Sequence, residues 1–168
     1  MAKIIFFLAA LSCLLPASMA ECRVEEQPQA DRVLVIKSEQ NLVLLKNGEI
    51  LKSFKVALGR QPVGNKLCRG DCRTPEGTYI LDYRNPHSKF YHSIHISYPN
   101  SADMARAKKR GVTLGNDIMI HGLPRGFENL GEFQSERNWT KGCIAVSNEE
   151  MDEIWRLVPN GTPIEIRP

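Results

Sequence analysis

The two residues of this sequence best suited to covalent chemistry are Cys143 and His121. Cys143 lies in Trp139-Thr140-Lys141-Gly142-Cys143-Ile144-Ala145, directly after a glycine. Glycine lets the backbone turn sharply there, so that neighbouring N–H groups converge on one point. That arrangement suits the oxyanion of a tetrahedral intermediate. His121 ends the apolar run Ile118-Met119-Ile120 and is followed by Gly122. A thiol is a weak nucleophile at its ordinary pKa, and a nearby imidazole both deprotonates and orients it. The second ring nitrogen needs a fixed partner, a role open to a backbone carbonyl at Gly122. Such a pair attacks an acyl carbon and passes through a thioester. Taken singly, a buried free cysteine or a satisfied core histidine is the commoner reading of either residue.

Short strands and two helices must position these groups. Residues 33–36 and 41–46 are apolar runs, and Asn47-Gly48 supplies the two positive-φ positions of a type I′ hairpin before residues 49–57 continue the meander. A long glycine- and proline-marked loop follows, ending at Thr74-Pro75-Glu76-Gly77, and residues 78–83 and 93–97 read as strands. A helix is predicted from Asn100 or Ser101 to Gly111, with Lys108, Lys109 and Arg110 matching its negative end. Residues 118–120 are a short buried strand running into His121. Residues 123–139 read as loop, and 142–146 as strand. Ser147 with Glu150 forms a capping box, after which Met151, Ile154, Trp155 and Val158 share one helical face. Pro159-Asn160-Gly161 stops that helix before a last strand at 163–166. The expectation is a mainly β single domain with two helices, a sandwich or barrel.

Lys3, the apolar residues 4–15 and the small-residue stretch Ala17-Ser18-Met19-Ala20 form an export signal over residues 1–20. Its apolar run is too short to span a bilayer, so no stable membrane insertion is expected. A lead-in over 21–30 precedes the domain at 31–168. In the oxidising compartment that export implies, Cys22, Cys68 and Cys72 are candidates for a structural disulfide, with Cys143 free. The formal net charge is +3, and the only basic cluster is the short Lys108-Lys109-Arg110. Nucleic acid is therefore a poor partner. His87, His92 and His95 lack the carboxylates or helical spacing of a metal site, so neither metal nor organic cofactor is expected.

Together these motifs resemble the L,D-transpeptidase catalytic domain, also called the YkuD-type domain. Its signature is a His-Gly, a gap, then Ser/Thr-His-Gly-Cys, matched here by His121-Gly122 and Thr140-Lys141-Gly142-Cys143. Arg73-Thr74-Pro75-Glu76-Gly77-Thr78-Tyr79 resembles the family's Thr-Pro-x-Gly-x-Tyr segment. His95-Ile96-Ser97-Tyr98-Pro99-Asn100 is similar to members from Gram-negative bacteria. Lys141 stands where many members carry histidine, Ala145 where they often carry Asn or Arg, and the gap between His121 and Thr140 is longer than usual.

The resemblance implies a periplasmic enzyme whose Cys143 attacks the L-centre of the diamino acid in a peptidoglycan stem peptide. His121 would be the base and Gly122 O its orienter, with Gly142 and Cys143 N–H and the Thr140 hydroxyl at the oxyanion. Arg73, His95, Asn138 and Lys141 are candidates for lining the substrate groove. An outer-membrane lipoprotein or a free amine is the implied acceptor. Lys141 raises the alternative of a carboxypeptidase or endopeptidase that hydrolyses wall peptides, and a non-catalytic peptidoglycan-binding module is the rival from outside enzymology. Papain-like wall hydrolases fit less well, because there cysteine precedes histidine and sits at a helix start.

Overall fold

A computed structural model describes residues 28–168 of the protein, so the export signal expected over residues 1–20 and Cys22 lie outside the described residues. Eight strands and two helices follow one another as β1 (Arg32–Ile36), β2 (Asn41–Lys46), β3 (Glu49–Lys55), β4 (Gly77–Ser88), β5 (Tyr91–Ile96), α1 (Ser101–Arg110), β6 (Met119–His121), β7 (Ile144–Ala145), α2 (Asn148–Leu157) and β8 (Thr162–Arg167). All eight strands belong to one sheet, in the order β3-β2-β1-β8-β4-β5-β6-β7. Instead of two stacked sheets, this single sheet curls until its ends meet. Just beyond β3, Ala57 and Ala145 exchange backbone hydrogen bonds at 2.9 and 2.8 Å. Closure in this way leaves fewer unpaired backbone groups at the sheet's ends.

Local chemistry sets the element boundaries. Asn47 and Gly48 both take positive φ (52° and 85°) at the β2–β3 turn, the pair of conformations a type I′ hairpin needs. Asn100 and Asp103 form a reciprocal capping box at the start of α1, and Gly111 closes the helix in the left-handed conformation. Ser147 and Glu150 do the same at the start of α2. That helix buries Met151, Ile154 and Leu157 against a core built from Val33, Leu42, Leu81, Ile94, Ile120, Ile144 and Ile164 among others. Residues 123–139 are not plain loop. They contain 3-10 turns over Glu128–Glu136, broken at Gly131, whose φ is 48°. No helix among the described residues is long and apolar enough to cross a membrane.

Candidate active site

β6 and β7 run side by side and parallel, with Ile120 opposite Ile144 and His121 opposite Ala145. Ile120 and Ile144 both join the core. Strand alternation therefore turns their neighbours to the other side of the sheet. His121 stands at the end of β6, and Cys143 immediately precedes β7. The pairing of two short strands thus brings together residues that are far apart in sequence.

Thr140 ties the cysteine turn into the barrel. Its N–H donates to Leu58 O at 3.1 Å and its carbonyl accepts from Arg60 N at 3.0 Å. Its hydroxyl donates to Cys143 O at 2.7 Å and accepts from Gly142 N at 3.0 Å. The Gly142 N–H and the Thr140 hydroxyl, both expected at the oxyanion, are thus committed within the turn itself. Gly142 has φ 131°, and a Cβ there would lie 2.7 Å from Arg73 O. Only glycine fits.

His121 is buried, and its Nδ1 donates to Gly122 O at 2.7 Å. A carbonyl can only accept, so the proton sits on Nδ1 and Nε2 is the basic nitrogen. The ring packs between aromatics, with the Phe90 ring at 4.6 Å and the Trp139 ring edge-on at 5.8 Å. Gly122 is itself constrained, because a Cβ would fall 2.6 Å from Asn148 Oδ1, the acceptor for Leu123 N.

Electrostatics differ between the two partners. Burial pushes the His121 imidazole down to about 4, against a smaller upward pull from its bond to Gly122. Burial pushes the Cys143 thiol up, and the Met119 N–H and the Lys66 ammonium partly offset this by favouring thiolate. Both groups therefore rest neutral near pH 7. The thiol donates to Asp117 O at 3.6 Å and lines a cleft of about 460 Å³ with Arg60, Lys66, Arg69, Asp117 and Lys141. Lys66 is buried and paired with Asp71 at 2.7 Å. Asp71 also accepts from the N–H groups of Leu67, Cys68 and Arg73. Burial raises its carboxyl, but Lys66 and these N–H groups outweigh that and hold it below the usual range.

Comparison with known proteins shows the family to which this fold belongs. The family described as the L,D-transpeptidase catalytic domain, YkuD, matches residues 30–166. The chain belongs to this family. YafK of Escherichia coli K12, whose own L,D-transpeptidase assignment is provisional, is 30% identical over 132 residues, covering 75% of this chain and 46% of YafK. The chain therefore spans about half the length of the curated relatives it matches. The helical cell shape determining protein Pgp2 of Campylobacter jejuni superposes with a TM-score of 0.61 at 27% identity, over 83% of this chain and 48% of that one. Bd1075 of Bdellovibrio bacteriovorus shares the fold with a TM-score of 0.54 at 23% identity, over 82% of this chain and 48% of its own.

Within this L,D-transpeptidase domain the groove candidates separate. Lys141 is exposed on the cleft that holds Cys143. Asn138 is structural instead, its Oδ1 accepting from Leu58 N at 2.7 Å and Gln40 Nε2 at 3.1 Å. Arg73 sends its guanidinium to Asn65 O at 3.4 Å, and only its carbonyl approaches Gly142. His95 lies on β5 opposite Met119 and is held by Asp82 at 2.7 Å. Among the described residues, Cys68, Cys72 and Cys143 form no disulfide with one another, and Cys22, the third candidate for a bridge, lies outside them. The turn between Cys68 and Cys72 is organised by the Asp71 carboxylate, and the Cys72 sulfur faces Gly70 O and Arg60.

Sequence reasoning missed Lys66, Asp71, Phe90 and the aromatic role of Trp139. The Gly70-Asp71 turn signal with a lysine upstream hinted at the first two. Nothing in the sequence hinted at Phe90, which reaches His121 only through tertiary packing.

Proposed function

We propose that the chain is an exported L,D-acyl-transferase of the cell wall, using Cys143 as nucleophile and His121 as base on peptidoglycan stem peptides. The observation that carries this reading is His121, its Nδ1–H fixed to Gly122 O on a strand paired in parallel with the strand that follows Cys143. As sulfur bonds to the L-centre carbonyl carbon of the diamino acid, the thiol proton passes to His121 Nε2. We assign the Cys143 N–H as the oxyanion donor of this turn, since Gly142 N–H and the Thr140 hydroxyl hold the turn in shape. The intermediate collapses, the carbon–nitrogen bond breaks, and the proton leaves His121 with the departing amine. An amine or water then attacks the thioester, returns a proton through His121 and restores the thiol. No step calls for a metal or organic cofactor.

The second reading, hydrolysis, is favoured by Lys141. It is exposed at the Cys143 cleft beside Arg60 and Arg69, and cations there repel a protonated amine while leaving water unaffected. A lipoprotein acceptor requires that repulsion to be overcome by contacts elsewhere. Purified muropeptides incubated with the protein and analysed by mass should yield trimmed tripeptides in at least equal amount to crosslinked product. Crosslinked product alone would remove hydrolysis, and no product of either kind would remove the enzymatic reading.

A further inference from the structure

Charge in the cleft beside Cys143 is unbalanced. Arg60, Arg69 and Lys141 line it, and among the described residues Asp117 is the only carboxylate in the lining. Lys66 is already neutralised by Asp71. Among the described residues, none of the other three cations has a carboxylate within ion-pair distance, whereas Lys37, Lys52, Arg106 and Arg167 each do. Two of the unpaired cations stand on fixed backbone. Arg60 N donates to Thr140 O at 3.0 Å, and Arg69 N donates to Thr113 O at 2.8 Å. Among the described residues, the one side-chain partner of Arg60 is the Cys72 sulfur at 3.4 Å, a weak acceptor that an anion would displace.

We propose that Arg60 and Arg69, with Lys141, form a carboxylate subsite that grips the free terminal carboxylate of the acyl donor and so restricts the enzyme to peptide chain ends. This rests on the acyl-transfer reading of the same site. When sulfur attacks the diamino acid carbonyl, the leaving residue's carboxylate is separated from the reacting carbon only by its own nitrogen and α-carbon. It must therefore lie in the cleft that holds the thiol. A guanidinium matches a carboxylate through two parallel hydrogen bonds and is more weakly hydrated than an ammonium, so two arginines suit this task. A donor extended beyond that residue presents a neutral amide instead, which leaves the cations unpaired and hinders binding. Carboxylate recognition thereby also selects the leaving group, a single residue that departs with its charge still held.

Two measurements test the subsite. The first compares kcat/KM for a stem tetrapeptide with a free C-terminal carboxylate and for the same peptide as its carboxamide. The protein should prefer the acid at least about tenfold, equivalent to about 1.4 kcal/mol. In the double variant Arg60→Gln, Arg69→Gln the ratio should collapse toward unity, mainly through KM for the acid. Equal rates on both donors, or an unchanged preference in the double variant, would overturn the subsite.

The second compares alkylation of Cys143 by iodoacetate and by iodoacetamide, and needs no turnover. The iodoacetate-to-iodoacetamide rate ratio should fall several-fold in the double variant, and the difference should shrink in high salt. A ratio that falls in a protein that turns over neither donor keeps the subsite and removes the acyl-transfer reading. A constant ratio with equal turnover of both donors removes the subsite and leaves that reading in place.

Discussion

The two halves of the site are built on opposite principles. His121 is held by burial: aromatic rings pack against it at 4.6 and 5.8 Å, and one carbonyl fixes its proton. Cys143 opens onto a cleft whose lining carries four cations, one of them buried and paired. Burial moves both groups toward their neutral forms, but in opposite pKa directions, down for the imidazole and up for the thiol. Only the thiol has a cation and an N–H working against that drift. Each group therefore rests neutral, the one as thiol and the other as imidazole. In the mechanism proposed above, charge separates only when substrate arrives, and the cationic cleft would compensate the resulting thiolate and oxyanion.

Substitutions in each half should separate these roles. Cys143→Ala removes the atom that forms the covalent bond, and muropeptide turnover should fall by about 10⁴-fold or more. Turnover near that of the unmodified protein would place the nucleophile elsewhere. His121→Gln keeps a polar side chain but no base, and kcat/KM should fall about 10²- to 10⁴-fold. In the unsubstituted protein the acid limb of kcat/KM should lie near pH 4, where Nε2 protonates, well below an ordinary histidine near 6.5. An acid limb at 6 to 7 would mean that the ring is wetter than its aromatic surroundings imply.

The same shift governs stability. The unfolded chain takes up a proton on His121 below about pH 6.5 while the folded chain resists until about 4. Stability should therefore be fully present above that range and fall as pH drops through it, by about 3 kcal/mol in total. Denaturant unfolding of the protein and of His121→Gln across pH 4 to 7 isolates this contribution, which the variant should lack. The smallest effect is expected in the other half. Lys66→Met removes the buried cation that favours thiolate, and alkylation of Cys143 at pH 7 should slow by about tenfold or less. Acceleration would show that Lys66 does not act on the sulfur.

Local signals make much of this fold and site legible in the sequence. The capping residues Asn100 and Ser147, the Asn47-Gly48 turn and the two glycines beside His121 and Cys143 each impose a conformation through their own chemistry. What stays hidden depends on partners distant in sequence. The parallel pairing of β6 with β7 rests on five residues in all, too short a pattern to register from periodicity. Asn138 reads as a turn residue near the substrate, yet it satisfies Leu58 N and Gln40 across the barrel. The tight turn between Cys68 and Cys72 is organised by Asp71, whose four partners gather only once the loop folds.

The central claim is that Cys143 carries the acyl group. A stem tetrapeptide mixed with the protein, quenched in acid within the first turnover and measured by intact mass, reports it directly. One acyl adduct should appear, map to Cys143, be released by hydroxylamine as a thioester requires, and be absent from Cys143→Ala. An adduct on Cys68 or Cys72, or turnover of the peptide with no adduct on Cys143 at any time, would contradict the account.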